Sequence, residues 1–173
     1  QMKDTGFWNP LTLPQKLFQE GNIDKCQDLL EELGHSLLDD DMDSSSDPFW
    51  SNSTVDLFTG IALYLFKIEE NVTLNRISEY VDYVKENKED FIENLDKKGY
   101  VYLNLKGIFE MLQDTMGSII AVFNQKLKLF VSRVNLSNLL SKSSFDITKF
   151  SKEKTIIYVN SYDDYARYLI PIL

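Results

Sequence analysis

The chain has 173 residues, of which 43% are hydrophobic and 13% aromatic, so one domain with a full hydrophobic core fits and global disorder is excluded. The net charge of −9 disfavours general phosphate binding by the chain as a whole. The single cysteine, Cys26, excludes an intramolecular disulfide and makes a reducing compartment the simpler expectation.

The charge is divided unevenly along the chain. Residues 1–70 hold 4 basic and 14 acidic side chains, whereas residues 71–173 hold 14 basic and 13 acidic ones. Within the second part, residues 126–154 hold seven basic and two acidic groups. The folded molecule is therefore expected to have one negative region and one mildly positive strip.

The first half predicts three helices. A short helix over residues 14–20 ends at Gly21, and residues 24–38 have apolar side chains at three- and four-residue steps. Residues 39–47 are polar and predict a loop, after which residues 48–69 form a helix that is apolar on almost every side and belongs in the middle of a bundle. Asp47 and Pro48 suit its cap and first position, and Ser53 with Asp56 offers a second cap one turn later. We expect Phe49 and Trp50 to fold back over the end of the bundle.

The second half predicts further helices. Thr73 caps one helix, a short helix follows around Phe91, and the longest helix covers residues 102–131, where apolar side chains keep helical spacing for seven turns. A short helix over residues 136–140 comes next, and the β-branched run at residues 155–159 predicts a short strand. The fold class is therefore all-α, a compact bundle of about six to eight helices with one long central helix. Because a lone strand forms no sheet, its partners are expected in a larger protein from which this domain is excised.

No catalytic, cofactor-binding or metal-binding residues are predicted. The sequence contains no G-x-x-x-x-G-K-[ST] phosphate loop, and Cys26 and His35 are nine residues apart, which places them on different faces of one helix. A calcium loop starting at Asp39 would need glycine where Ser44 stands and glutamate where Trp50 stands. The acidic run therefore predicts a solvated loop, with Asp39, Asp40, Asp41 and Asp43 as candidates for binding a basic partner.

Nucleic-acid binding has one candidate strip, represented by Lys126, Lys128, Arg133 and Lys142. Ordinary solubilising lysines are the favoured interpretation, because helical periodicity directs some of these cations away from any common surface. Direct DNA binding is expected to be weak and salt-sensitive, or absent. The longest apolar run is far shorter than the ~20 residues of a membrane span, so no membrane contact is expected.

Four pieces of the sequence occur in a recognisable order. They are "WNPL" from Trp8, "DPFW" from Asp47, "DTMGSIIAVFNQKLKLF" from Asp114 and "SSFDITKFSKEKTIIYV" from Ser143. Together they resemble the type IV secretion coupling proteins, the TraG/TraD-type ATPases of conjugation. The positions that match the family motifs are Trp8, Asn9, Pro10, Asp47, Pro48, Phe49, Trp50, Thr115, Ser118, Phe145 and Asp146.

The resemblance implies an all-α domain inserted into the nucleotide-binding domain of a hexameric, membrane-anchored motor. Residues 10–150 would be the all-α domain, and residues 1–9 and 151–173 would be margins of the nucleotide-binding domain. The implied role is non-catalytic and cytoplasmic: recruitment of a relaxase-DNA complex or effector proteins to a motor that itself uses ATP and Mg²⁺. Other subunits of the hexamer are further implied partners. The acidic excess of residues 1–70 favours a basic protein over bare DNA as the partner.

A second interpretation stays open at this point. The same helical pattern fits a free-standing interaction or regulatory protein with no attached motor. An enzyme is disfavoured because no nucleophile, base and stabiliser converge in the sequence.

Overall fold

The computed structural model describes residues 6–38, residues 47–149 and Lys154. These ranges contain eight α-helices and one 3₁₀ turn, and no strand. The helices are α1 (Thr12–Gln19), α2 (Ile23–Leu38), α3 (Pro48–Ile68), α4 (Leu74–Glu86), α5 (Lys88–Glu93), α6 (Tyr100–Phe109), α7 (Gln113–Ser132) and α8 (Val134–Leu139), and the 3₁₀ turn is Ile147–Lys149. The predicted all-α bundle is confirmed, while the predicted strand at residues 155–159 lies outside the described residues.

Helix α3 is the centre of the bundle, as its all-round apolar sequence predicts. It packs against α1, α2, α4, α6 and α7, and most of its side chains are buried. Gly60 allows a close approach of α6, because a Cβ there would lie 2.5 Å from Leu105 Cγ. An alanine at position 60 would therefore force the Leu105 side chain or the helix that holds it to shift.

The predicted helix over residues 102–131 is wrong as a single element, and the long central helix is α3 instead. Helix α6 ends at Phe109, and α7 begins at Gln113 after Leu112, whose backbone is extended with φ −57° and ψ 146°. Leu112, which continues the regular apolar spacing of the predicted helix, is 80% exposed. Periodicity misses this break because α6 packs mainly on α3 whereas α7 packs mainly on α4, so each helix buries its own apolar stripe.

The helix ends follow local rules that the sequence displays. Asp47 caps α3 by accepting a hydrogen bond from the Phe49 N–H at 3.0 Å, and Thr73 caps α4 by accepting one from the Arg76 N–H at 3.2 Å. Gly21, with φ +79°, ends α1 in the left-handed region. The second cap predicted at Ser53 is wrong, because Ser53 is buried within α3, about one and a half turns after the start of the helix.

Candidate functional site

The net charge of the molecule is concentrated in one short part of the sequence. Residues 24–56 contain ten of the 27 acidic residues and only one lysine, which gives a net charge of −9. The rest of the chain has 17 acidic and 17 basic residues and is neutral. The negative charge predicted for residues 1–70 is therefore concentrated in α2, the start of α3 and the sequence that connects them.

Helix α2 presents acidic side chains along its exposed face. Asp24, Asp28 and Glu31 are spaced four and three residues apart, so successive members lie about one turn apart in a single stripe. Glu32 lies beside this stripe. All four are exposed, whereas the opposite face of α2 buries Cys26 and Leu30 in the core. The stripe therefore runs along the solvent side of the helix.

Asp56 of α3 extends this negative region on to a second helix. The pKa of its carboxyl is raised, first by partial burial and then by the charge of Glu31, while His35 opposes the shift. The two helices approach closely here, since a Cβ on Gly34 of α2 would lie 3.1 Å from Val55 Cγ1 of α3. We refer to Asp24, Asp28, Glu31, Glu32 and Asp56 as the acidic surface.

An exposed aromatic pair adjoins the acidic surface at the start of α3. Phe49 and Trp50 are 37% and 36% exposed, and their rings meet edge to face with centroids 5.3 Å apart. The prediction that these two rings fold back over the end of the bundle is therefore wrong, because both stay exposed. Phe49 lies three and seven residues before Asn52 and Asp56, so these three residues share one exposed stripe of α3.

The predicted acidic-loop candidates Asp39, Asp40, Asp41 and Asp43 lie outside the described residues. They join the end of α2 to the start of α3, which are the two helices of the acidic surface. The dense acidic run of residues 39–43 drew attention to this segment, whereas the exposed stripe on α2 was missed. The available signal was the four- and three-residue spacing of Asp24, Asp28 and Glu31.

The cationic candidates do not share one helix face. Lys126 and Lys128 lie two residues apart on α7, which separates them by about 200° around the helix. Lys142 places its ammonium 4.2 Å from the centroid of the Phe7 ring, a cation–π contact. Arg133 follows α7 directly and is exposed. The two helix lysines therefore do not form the strip that their nearness in sequence suggested.

The first and last sequence motifs meet in space. The Phe7 N–H donates to Ser144 Oγ at 2.9 Å, the Ser144 N–H donates to the Phe7 carbonyl at 2.9 Å, and the Asn9 N–H donates to Ser143 Oγ at 3.1 Å. The Trp8 N–H donates to the Leu139 carbonyl at 2.9 Å. We call residues 7–10 and 143–146, with these contacts, the junction.

Asn9 is the buried centre of the junction. Its side-chain amide donates to the Val72 carbonyl at 2.8 Å, and its side-chain oxygen accepts from the Leu11 N–H at 3.0 Å. Gln15 supports the same loop, donating to the Glu69 carbonyl at 2.8 Å and accepting from the Val72 N–H at 3.1 Å. These amides fix the loop between α3 and α4 against the start of the domain, a structural role that the motif did not reveal.

A cleft of about 480 Å³ lies beside the junction. Trp8, Pro10 and Phe145 line it together with leucines of α1 and α2, and Lys16 and Asp146 add opposite charges. Hydrogen bonds from the Thr148 hydroxyl and then from the Thr148 N–H lower the pKa of Asp146.

The two motif residues in α7 lie apart from this cleft's lining residues. Thr115 is half-buried, and the exposed Ser118 donates its hydroxyl hydrogen to the Asp114 carbonyl at 2.9 Å.

The structure separates the one cysteine from the one histidine. Cys26 is fully buried, and burial raises the pKa of its thiol to about 12, whereas His35 is exposed on the other side of α2. Among the described residues no group of three His, Cys, Asp or Glu side chains is arranged to hold a metal ion. Within the same part of the chain, no helix has both the length and the apolar character needed to cross a membrane.

Fold and surface together define an all-α domain with one concentrated acidic surface and a tightly hydrogen-bonded junction. The family model described as type IV secretory system conjugative DNA transfer matches residues 8–169, nearly the whole chain. The chain therefore belongs to this family, in agreement with the resemblance of its sequence motifs. Searches of curated proteins and of solved structures found no match to the chain.

Proposed function

We propose that this chain is the non-catalytic substrate-recognition domain of a conjugative type IV coupling protein. In this role it recruits a relaxase-DNA complex or effector proteins to a hexameric translocation ATPase. Membership of the conjugative DNA transfer family supports the general role. The observation that supports protein recognition is that residues 24–56 account for the entire net charge of −9. The acidic side chains of α2 and Asp56 of α3 within this range are exposed.

The sign of this charge favours a basic protein segment as the partner. An acidic surface attracts cationic side chains over a distance of about one Debye length, ~8 to 10 Å at moderate salt, and repels the phosphates of DNA. Since Lys126 and Lys128 lie on different faces of α7, direct DNA binding by the isolated chain is expected to be weak and salt-sensitive. The domain would thus recognise DNA through the proteins bound to it.

The geometry of the junction supports an insertion within a larger protein. A domain inserted into a host fold needs its incoming and outgoing segments side by side. Residues 7–9 and 143–144 meet this condition through their reciprocal hydrogen bonds. Residues 10–150 would then be the inserted domain, with the flanking residues as margins of the nucleotide-binding domain and other subunits of the hexamer as neighbours.

Catalysis belongs, in this proposal, to the host motor. The motor would bind ATP and Mg²⁺, and the recognition domain would lie on its cytoplasmic side without touching the membrane. The 173-residue chain has no phosphate-loop motif in its sequence, so we expect no ATP hydrolysis by it alone. A phosphate-release assay with the purified chain checks this, and turnover above the background of a heat-denatured sample would contradict it.

The recognition role is tested with the immobilised chain and the purified relaxosome proteins encoded alongside it. A triple variant, Asp28→Asn, Glu31→Gln and Glu32→Gln, removes three charges from the acidic surface. A matched variant, Glu86→Gln, Glu89→Gln and Glu93→Gln, removes three exposed charges from α4 and α5. We expect binding by the parent chain and the α4/α5 variant, and loss of about tenfold or more in affinity for the α2 variant.

Salt dependence gives a second criterion in the same experiment. Raising the salt concentration screens exposed charges, so it should weaken partner binding by the parent chain more than by the α2 variant. Capture of no relaxosome protein even at low salt would contradict the recognition role. Equal losses in the two triple variants would contradict the assignment to the acidic surface.

A further inference from the structure

The exposed aromatic pair indicates which basic side chain the partner segment contains. Phe49 and Trp50 leave more than a third of their surface in water, although the core of this domain accommodates many other aromatic side chains. Their rings meet at 80°, an arrangement that leaves ring surface available for a further contact. A ring face is electron-rich, so the preferred charged ligand of such a pair is a cation.

The acidic residues around the aromatic pair also favour a positively charged ligand. Asp47 lies two residues before Phe49, and Asp56 shares the exposed stripe of α3 with Phe49. Asp56 in turn lies within electrostatic range of Glu31 on α2. The exposed stripe of α3 therefore has the aromatic residue Phe49 at one end and the acidic residue Asp56 about two turns further on, where α3 meets the acidic helix α2.

Arginine is the side chain that fits both halves of this face. Its planar guanidinium stacks on aromatic rings and pairs with carboxylates through two parallel hydrogen bonds, whereas the compact ammonium of lysine is more strongly hydrated. We propose that Phe49, Trp50 and the acidic surface bind an arginine-rich segment of a partner protein, with one guanidinium on the aromatic pair and others on the carboxylates. This inference rests on the proposed recognition function and names the chemistry of its ligand.

The test measures the binding of two fluorescein-labelled peptides, octa-arginine and octa-lysine, to the purified chain by fluorescence anisotropy. Both peptides have the same number of charges, so the ratio of their dissociation constants isolates the contribution of the guanidinium. We expect the parent chain to bind octa-arginine about three- to tenfold more tightly than octa-lysine. The Trp50→Ala and Phe49→Ala variants should reduce this ratio towards one, mainly by weakening octa-arginine binding.

Two control variants distinguish a specific effect from a general one. Tyr83→Ala removes another exposed aromatic side chain, 45% exposed on α4, and should leave the ratio unchanged. Glu31→Gln with Glu32→Gln should weaken the binding of both peptides, and Trp50→Ala added to this pair should still lower the remaining preference for arginine. Thermal melts of all variants verify folding, and Phe49→Leu provides a conservative variant that keeps the helix start apolar without an aromatic ring.

Each outcome bears on a definite claim. A parent chain that binds the two peptides equally, or a Trp50→Ala variant that keeps the full preference, would overturn the arginine assignment. If relaxosome proteins still bind through the α2 carboxylates in that case, the recognition function stands without it. If octa-arginine binds through Trp50 but no relaxosome protein binds, the arginine site stands and the proposed recognition function fails.

Discussion

The acidic surface and the junction both depend on polar residues but use them in opposite ways. At the junction, the Asn9 amide is 1% exposed and satisfies two backbone groups, Val72 C=O and Leu11 N–H. On the acidic surface, Asp24, Asp28, Glu31 and Glu32 are exposed on the solvent side of α2. The junction thus converts polar groups into stability, whereas the acidic surface leaves them available to a partner.

The pKa values of two aspartates, one in each region, are shifted in opposite directions. The pKa of Asp146 at the junction is lowered, mainly by the hydrogen bond from the Thr148 hydroxyl. The pKa of Asp56 on the acidic surface is raised, first by partial burial and then by Glu31. One carboxylate is stabilised by its own neighbours, while the other is destabilised and would be relieved by a cationic ligand.

The largest expected effect breaks the junction. Asn9→Ala leaves the buried Val72 carbonyl and Leu11 N–H without their partners, and each such loss costs about 1–3 kcal/mol. We therefore expect the free energy of unfolding to fall by about 2–4 kcal/mol, measured by urea denaturation. Asn52→Ala, an exposed asparagine on α3, is the control and should change it by less than about 0.5 kcal/mol. Equal effects of the two substitutions would remove the distinction between the regions.

An intermediate effect is expected at the aromatic pair. Trp50→Ala loses the edge-to-face contact with Phe49, which contributes about 0.5–1.5 kcal/mol. Because this contribution is additional to the area that the partly covered indole ring buries, stability should fall by about 1–2 kcal/mol, below the ~3 to 5 kcal/mol that truncation of a buried aromatic side chain costs. Urea denaturation measures the loss. A value in the buried range would mean that Trp50 belongs to the core and would argue against a partner-binding role.

The smallest effects concern the two aspartates and their dependence on pH. A raised pKa in the folded state means that the ionised Asp56 opposes folding at neutral pH, and this penalty is relieved as pH falls through the folded pKa. A lowered pKa means the reverse for Asp146, whose stabilising contribution is present above the unfolded pKa and lost as pH falls through the folded pKa.

Carboxyl titrations by NMR check these directions. Glu31→Gln should lower the pKa of Asp56 towards its ordinary value, because it removes a neighbouring negative charge. Thr148→Val should raise the pKa of Asp146, because it removes the hydroxyl donor. Each variant also serves as the control for the other aspartate. Glu31→Gln should leave the pKa of Asp146 unchanged, and Thr148→Val should leave the pKa of Asp56 unchanged. Shifts in the opposite direction would contradict the electrostatic account of the two regions.

Local and periodic features were predictable from the sequence alone. The all-α class, the central position of α3, the caps at Asp47 and Thr73 and the exposed and buried sides of α2 all follow from spacing and helix-end chemistry. The family membership was also predictable, because four short motifs in a fixed order are a property of the sequence itself. These features depend on residues near one another in the chain.

Tertiary structure alone decided the remaining features, because each depends on which distant residues meet. The break at Leu112 lies between α6, which packs mainly on α3, and α7, which packs mainly on α4. The spacing of apolar residues does not indicate that the helix against which they pack changes at this point. The exposure of Phe49 and Trp50 depends on whether the bundle provides a place for their rings. Likewise, the role of Asn9 became visible only when Val72, 63 residues away, was found to accept its hydrogen bond.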